Sequence, residues 1–445
     1  MKEIGIEELQ KEREEYEGEE KNTLMRHVLS HSGLGQSVLS QDRSRESQFA
    51  FSEEIETLPA TDQKKSGRCW IFSASNLLRE IIAKKANIEG QFEISQNYIS
   101  YYDKLEKFNY QMEGVITLLL SGEKKDSRKM AFLLAGVGDG GQWDMYADIV
   151  KKYGIVPKSA FPETAQSENT RESTMLGNAI LRSFAADCYK AMEEKKGEEE
   201  LRGLKKKAME KIYVLLTDSF GLPPQKFDFV YKDKKKVLHR EKDMTPLSFH
   251  KEYVGEELDR FVSVIQAPTA DKPYNKTYTI ELVGNVVGGK KITHLNVSMD
   301  RLEELIIKQL KDKQITWFGS DVSYFRNQTE GLWDEGAFDY RTPFDADLRF
   351  DKKDMLDFHH AAMNHAMVIT GVDLPEGKPT RWKIENSWGG AIGKSGYFVF
   401  TEDFFRDFVY QAAIDRKYLN EEELQALKKE PVLLPPWDPF GTLAD

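Results

Sequence analysis

Cysteine is nearly absent from this sequence, and so are long apolar runs. Only two of the 445 residues are cysteines, Cys69 and Cys188, which excludes a disulfide framework and favours a reducing compartment. No run of about 18 apolar residues occurs, and the chain begins with an acidic segment where a signal peptide needs a basic start and an apolar stretch. The sequence therefore predicts neither secretion nor membrane insertion, and we expect a cytoplasmic protein.

Positive charge is also in deficit. Lysine and arginine total 63 against 74 aspartates and glutamates, a formal net charge of -11. Because nucleic-acid affinity depends on neutralising phosphates, this balance argues against a constitutive polyanion binder. The basic cluster at residues 232–236 is more typical of a hairpin tip. Apolar residues, at 40%, are abundant enough for a soluble globular protein of two or three structural units, or of one domain with a large insertion.

Hydrophobic periodicity separates a helical middle from a strand-rich last third. Charged and apolar residues alternate at helical spacing from Met192 to Lys211, which predicts one exposed amphipathic helix. Asp300 and Glu303 have the spacing of a capping box and predict the start of a short helix. β-Branched and aromatic residues then predict strands in four segments, which are residues 315–322, 365–374, 380–388 and 396–401.

Cys69 is the candidate nucleophile. Apolar residues follow it at helical spacing, so we expect it in the first turn of a helix, where the helix dipole favours the reactive thiolate. Gly67 allows a close approach to that helix start, and Gln63 supplies an amide that can donate to an oxyanion. By residue type alone a cysteine is more often simply buried, and this is our interpretation of Cys188.

A thiolate nucleophile needs an imidazole to exchange protons and a third group to orient that imidazole. His365 begins one predicted strand, and Asn386 ends the next one. If these strands pair, both side chains reach the same rim of the sheet, as a Cys-His-Asn site requires. Taken separately, the two residues are more typical of a structural histidine and of a turn.

These motifs together resemble the papain superfamily of cysteine peptidases. Gln63, the SGRCW around Cys69, the NHAM at His365 and the ENSWG at Asn386 occur in that family's order. His365 lies 296 residues after Cys69, against roughly 130 to 150 in ordinary papain-like chains, so a long insertion is expected. Such a chain resembles the bleomycin hydrolase and bacterial aminopeptidase C family, and the likeness extends to GDGGQWDM and to the final PPWDPFGTLAD.

The resemblance implies an α+β, papain-like two-lobed fold. A helical lobe and an antiparallel sheet lobe would carry a large helical insertion and extended terminal arms. The expected parts are an N-terminal arm at 1–55, the helical lobe at 56–164, a mainly helical insertion at 165–295, the sheet lobe at 296–420 and a C-terminal arm reaching the active site at 421–445. Ser66 stands where the usual C-G-S-C-W pattern has its other cysteine, so that disulfide is absent.

The resemblance also implies a cysteine aminopeptidase that releases N-terminal amino acids through a thioester, with bleomycin-hydrolase-like activity, no cofactor and no metal. Cys69 would attack the carbonyl, His365 would carry the proton and Asn386 would orient the imidazole. Gln63 and the Cys69 N–H would stabilise the oxyanion. The implied partners are peptide substrates with a free N-terminus and five further copies of the chain in a homohexamer, without membrane or nucleic acid.

Four residues are implied to bind the substrate. Gly140 and Gly141 would form a wall of the cleft, where backbone without side chains pairs with an extended peptide. The carboxylate of Asp445, or of Ala444 after trimming, would meet the substrate's free amine. Four prolines between 430 and 445 favour an extended arm, with Trp437 and Phe440 as its anchors or as ordinary surface packing.

Alternatives remain at this point. Within the same chemistry, the chain could be an endopeptidase or an acyl-transferring enzyme, and the C-terminal arm is the discriminating feature. From another class, it could be a nucleic-acid-binding or scaffold protein, since the family it resembles includes members associated with nucleic-acid binding. The literal G-x-G-x-x-G at 136–141 follows a segment that looks helical, so we do not interpret it as a dinucleotide site.

Overall fold

The N-terminal segment is a helical arm. The computed structural model describes residues 1–46 and 48–444. The arm contains helices α1 to α4 and strand β1, at Ile6–Gly18, Glu20–Leu29, Leu34–Ser37, Gln41–Glu46 and Glu53–Glu54. Neither α1 nor α2 buries a single side chain, so the arm packs only lightly on the rest of the chain.

The helical lobe is built around the helix that begins at Cys69. Its helices α5 to α9 are Cys69–Lys85, Gln96–Leu120, Arg128–Ala135, Trp143–Tyr153 and Ala165–Glu168. Helix α5 is buried on almost every side over its first three turns, because the sheet covers one face and α6 and α8 cover another. This placement makes α5 the element shared by both lobes.

Two long helices follow, and they correct one prediction. Helices α10 and α11 are Arg171–Glu193 and Glu198–Phe220, and they pack with α6 and α7 around a second apolar core. The single helix predicted from Met192 to Lys211 is wrong, because Lys195 adopts a left-handed φ of 58° that ends α10. The hairpin of β2 and β3, Phe227–Lys232 and Leu238–Met244, carries the basic cluster at its tip as predicted.

The remaining elements build one large sheet with helices along it. In chain order they are α12 Pro246–Tyr253, β4 Phe261–Ile265, β5 Lys276–Ile280, β6 His294–Asn296, α13 Met299–Lys311, β7 Thr316–Ser320, β8 Arg326–Asn327, β9 Leu332–Trp333, α14 Arg341–Phe344, α15 Lys352–Asp357, β10 His365–Asp373, β11 Arg381–Glu385, β12 Tyr397–Thr401, α16 Glu402–Phe408, β13 Val409–Asp415, α17 Glu421–Ala426 and β14 Val432–Leu434. The four strands predicted from residue pattern, now β7, β10, β11 and β12, are confirmed.

The sheet is antiparallel in its centre and mixed at its edges. Its order is β14-β5-β6-β4-β13-β7-β10-β11-β12-β9-β8, with β1 added to β10. The pairs β4–β6, β5–β14 and β9–β12 are parallel, which corrects the wholly antiparallel lobe of the prediction. Each parallel pair joins strands separated by a long intervening segment, and such a segment supplies the crossover that parallel pairing needs. Strands β4 to β6 also bring part of 165–295 into this sheet.

The start of α13 differs from the predicted capping box. Ser298 is the N-cap, and its side chain accepts a hydrogen bond from the N–H of Arg301. Asp300 and Glu303 instead form ion pairs with Arg406, at 2.6 Å each. The predicted capping box is therefore wrong. Local spacing cannot predict an ion pair between residues that are more than a hundred positions apart in the sequence.

Candidate active site

The nucleophile candidate lies where the central helix meets the central strand. Cys69 is the first residue of α5 and is fully buried, and its Sγ accepts a hydrogen bond from the N–H of Ala366 at 3.4 Å. Ala366 is the second residue of β10, so the start of the helix and the start of the strand face each other. The position in the first turn agrees with the prediction and puts the sulfur at the positive end of the helix dipole.

The imidazole and amide are joined as the strand pairing requires. β10 and β11 are antiparallel neighbours, with Val368 opposite Glu385, so Asn386 leaves β11 close to the start of β10. His365 Nε2 lies 2.9 Å from Asn386 Oδ1. An amide oxygen only accepts, so Nε2 carries the hydrogen and Nδ1 is the nitrogen available for proton exchange. The Asn386 oxygen is held in turn by the N–H of Ser387 at 2.7 Å.

The surroundings of His365 favour a neutral ring. Burial lowers the pKa of His365 to about 4, the hydrogen bond with Asn386 raises it in part, and the positive charge of Arg326 lowers it again. The indole of Trp388 covers the imidazole, with ring centroids 5.0 Å apart. A neutral imidazole is the form that can accept a proton from a thiol.

Gln63 lies at the helix start and is fixed by three hydrogen bonds. Its Nε2 donates to the Ser66 carbonyl at 2.7 Å, and its Oε1 accepts from the Ser387 hydroxyl at 2.6 Å. Its backbone N–H donates to the Ser387 carbonyl at 2.8 Å. An amide nitrogen has two hydrogens, so one remains for an oxyanion beside the first N–H groups of α5. Gln63 thus connects the loop before Cys69 to the loop after Asn386.

The tail of the chain pairs with the second of the two glycines. Gly141 and Ala444 form an antiparallel bridge, with N–H to carbonyl distances of 3.1 and 3.2 Å, and Ala444 is fully buried. A Cβ on Gly141 would lie 2.4 Å from the Trp70 ring, so the close approach requires glycine. The Gly140 carbonyl accepts from Lys107 at 2.5 Å. Asp445, predicted to meet the substrate's amine, lies outside the described residues.

The two aromatic residues of the tail are held differently. Phe440 is buried and lies near the rings of His294 and Tyr410, whereas the ring of Trp437 lies 3.9 Å below the guanidinium of Arg128. Gln142 donates to the carbonyls of Phe440 and Thr442, at 3.0 and 2.8 Å. The last described residues are thereby anchored to the residue that follows Gly141.

Asp139 is a buried residue of this site that sequence reasoning missed. Its carboxylate accepts hydrogen bonds from the Gly67 N–H at 2.9 Å, from Lys104 and from Thr170, and its carbonyl accepts from the Trp70 indole at 2.7 Å. Burial raises the pKa of Asp139, but Lys104 and the hydrogen bonds outweigh it and lower the pKa to about 2. Asp139 lies between Gly138 and Gly140, and this pattern is the signal in the sequence that could have identified it. Asp139 ties the loop before Cys69 to the wall at Gly140.

Other candidate groups stay outside this site. Burial, and to a smaller extent the charge of Asp187, raises the pKa of Cys188 to about 12, in keeping with the inert thiol that was expected. Within residues 1–46 and 48–444, no group of three or more His, Cys, Asp or Glu side chains could hold a metal ion. In the same part of the chain, no helix is long and apolar enough to cross a bilayer.

The chain is similar to known proteins in both sequence and structure. The sequence profile of the Peptidase C1-like family matches residues 3–441. The chain is 46% identical over 399 residues to aminopeptidase C of Lactobacillus delbrueckii subsp. lactis, covering 88% of each. It is 36% identical over 404 residues to human bleomycin hydrolase, covering 89% of each. The crystal structure of PepW from Lactobacillus rhamnosis HN001 superposes with a TM-score of 0.96 at 41% identity, covering 99% of both chains.

Proposed function

This chain belongs to the Peptidase C1-like family, and on that basis we propose how its buried cysteine cleaves peptides. The predicted membership of the bleomycin hydrolase and aminopeptidase C group and the papain-like α+β fold class are confirmed. The chain is a papain-like cysteine aminopeptidase that releases N-terminal amino acids from peptides. The single observation that supports the residue roles is the hydrogen bond of 2.9 Å between His365 and Asn386 beside Cys69.

In the first half of the reaction, Cys69 passes its proton to Nδ1 of His365, and Sγ forms a bond to the substrate carbonyl carbon. The carbonyl oxygen becomes an oxyanion, which the second N–H of Gln63 and the Cys69 N–H stabilise. The imidazolium then gives its proton to the leaving amine as the C–N bond breaks. The result is a thioester on Cys69 and a shortened peptide.

In the second half, a water molecule replaces the amine. His365 accepts one proton of that water as its oxygen attacks the thioester, and the C–S bond breaks. The proton returns to the sulfur, so the enzyme is restored and a free amino acid leaves. Asn386 does not touch the substrate in this scheme, since its role is to hold the ring so that Nδ1 faces the sulfur.

The tail limits the substrate to one residue before the cleaved bond. Ala444 fills the position on Gly141 where a longer acyl chain would pair with the wall. A peptide with a free amine ends before the tail, whereas an internal bond would need the space that residues 442–444 occupy. This supports exopeptidase over endopeptidase activity, and an acyl transferase would need to exclude the water that the second step uses.

The test compares two fluorogenic amides, one with a free aminoacyl group and one with the same group N-acetylated. The intact chain should cleave only the free form. Deletion of residues 441 to 445 should weaken that cleavage and allow the acetylated form, with Cys69 still labelled by iodoacetamide. Cys188→Ala is the matched control and should keep the original preference. An unchanged preference after the deletion would show that the tail does not set specificity.

Three finer statements are proposals, of which the cytoplasmic location follows from the scarcity of cysteine and apolar runs, and the hexamer and the division into parts follow from the resemblance. We propose that the chain works in the cytoplasm, that it forms a homohexamer and that its parts divide at residues 55, 164, 295 and 420. Light scattering measures the molar mass of the purified protein in solution and so tests the homohexamer. Limited proteolysis locates the boundaries between the parts. Bleomycin-hydrolase-like activity follows from the same chemistry, and hydrolysis of the amide of bleomycin is its direct assay.

A further inference from the structure

One cation beside the active site has no acidic partner among residues 1–46 and 48–444. Arg326, the first residue of β8, is exposed, and among the described residues it forms no ion pair. Partial burial alone lowers the pKa of Arg326, while the arginines that lie against carboxylates, such as Arg349 and Arg406, have raised pKa values. Arg326 still carries its charge at every relevant pH. Within the described part of the chain, this edge of the sheet therefore carries a positive charge without a counter-ion.

The position of this charge is fixed by an aromatic platform. The Arg326 guanidinium lies 5.2 Å from the centroid of the Trp388 ring. That indole is held in place by Trp333 and Phe398, with centroids 5.8 and 5.9 Å away. His365 is a further neighbour of the indole, with ring centroids 5.0 Å apart. Arginine stacked on tryptophan keeps its N–H donors pointing outward in the ring plane, where they can reach a ligand.

The leaving half of the substrate must pass this platform. The tail occupies the cleft along Gly141, so the acyl half lies on that side of Cys69. His365 gives its proton to the leaving amine, which puts the rest of the leaving peptide against His365 and the adjoining Trp388. The two centroid distances bound the separation of the imidazole and the guanidinium at about 10 Å. An extended residue spans about 3.3 to 3.6 Å, so two residues and one hydrogen bond cover it.

We propose that Arg326, supported on Trp388, is a subsite for a carboxylate on the leaving peptide, and that it favours tripeptides whose free C-terminal carboxylate is two residues beyond the cleaved bond. This inference rests on the proposed aminopeptidase function and adds a specificity-determining residue to it. An acidic side chain at the same distance supplies the same chemistry. Short peptides end in a carboxylate at this place and long ones do not, so the subsite would direct the enzyme to the last products of protein degradation.

The experiment measures kcat/KM for a tripeptide with a free C-terminus and for the same tripeptide as its C-terminal amide. The intact enzyme should prefer the free acid about fivefold at low ionic strength, as expected for a partly exposed charge pair, and the preference should shrink in salt. Arg326→Gln should bring the ratio close to one. Arg326→Lys should keep part of it, because the charge remains while the paired donors are lost.

Two controls separate this proposal from its premise. Arg13→Gln removes the same charge from the N-terminal arm and should leave the ratio as in the intact enzyme. A third substrate, a tripeptide amide that ends in aspartate, shows whether a side-chain carboxylate is accepted too. Equal rates for acid and amide in the intact enzyme, or an unchanged ratio in Arg326→Gln, would overturn the subsite. Failure to cleave any free-amine substrate would instead remove the proposed function.

Discussion

The two sides of the cleft hold their reactive residues by different means. On the side of Cys69, the supports are buried ions, which are the pairs Asp139–Lys104, Asp103–Lys107 and Glu163–Arg68. On the side of His365, the supports are neutral groups, which are the Asn386 amide, the Ser387 hydroxyl and the Trp388 indole. The first side fixes the loop before a helix, and the second orients one ring.

This difference has a physical reason. Charged hydrogen bonds fix a loop strongly, but removal of one partner leaves an uncompensated buried charge and costs about 3 to 5 kcal/mol. Neutral hydrogen bonds contribute about 0.5 to 1.5 kcal/mol each and add no negative charge next to the ring. Burial and the positive charge of Arg326 therefore keep the ring neutral, whereas a carboxylate partner would favour the imidazolium. The charged side therefore gives rigidity, and the neutral side gives a ring ready to accept a proton.

The largest expected effect comes from replacing the Cys69 sulfur, which lies between the two sides. Cys69→Ser should abolish hydrolysis and leave the fold intact, because a serine hydroxyl is far too weak an acid to transfer its proton to this imidazole. Steady-state turnover of an aminoacyl amide with a free amine measures the loss of hydrolysis. Near-normal turnover would refute the mechanism on both sides at once.

On the neutral side, the loss of His365 should lower kcat more than the loss of Asn386. His365→Ala should lower kcat by roughly 10²- to 10⁴-fold, the usual contribution of general acid–base catalysis. Asn386→Ala should lower it less, because it loses only the orientation of the ring. A larger loss for Asn386 than for His365 would mean that the roles are reversed.

The charged side should instead fail in stability. Asp139→Asn keeps the shape but leaves Lys104 without its carboxylate, so we expect a loss of about 3 to 5 kcal/mol in the free energy of unfolding by urea. Ser387→Ala is the matched change on the neutral side and should cost about 1 kcal/mol. Similar losses for the two variants would erase the distinction between the sides.

Gln63 spans both sides, so its removal tests whether they act together. Gln63→Ala should lower kcat by about 10²-fold with little change in KM, since an oxyanion donor acts on the transition state. Rates at saturating and at limiting substrate separate the two parameters. An effect on KM alone would make Gln63 a substrate-binding residue.

The smallest expected effect is a shift in pH dependence. Because burial lowers the pKa of His365 to about 4, the ring loses its proton at a lower pH than an exposed histidine does. The acid limb of the pH profile of kcat/KM should therefore lie well below pH 6.5. Its apparent pKa belongs to the Cys69–His365 pair and not to either residue alone. The free energy of unfolding should also decrease toward acid pH. Because the pKa of His365 is lower in the folded than in the unfolded chain, stability is lost as the pH falls from about 6.5 toward 4. An acid limb at 6.5 would contradict the neutral environment.

Local pattern was enough to predict the parts of the site that one helix or one strand pair determines. The position of Cys69 followed from periodicity, and the meeting of His365 with Asn386 followed from two adjacent strands. Asp139 and the β14–β5 pairing could not be found in this way, because their partners lie far away in sequence. The break at Lys195 had a signal in the sequence that the periodicity argument passed over, because Gly197, a poor helix former, is the N-cap of α11.

The bridge between Gly141 and Ala444 has a consequence for biosynthesis. Translation produces Cys69 first, then His365 and Asn386, and later the segment that pairs with Gly141. At about 5 to 20 residues per second, the 58 residues from Asn386 to Ala444 take roughly 3 to 12 seconds. Strand β13, which lies between β4 and β7 in the sheet, is also made within that interval, because it spans Val409–Asp415. The sheet that positions His365 and Asn386 is therefore completed only shortly before Ala444 can pair with Gly141.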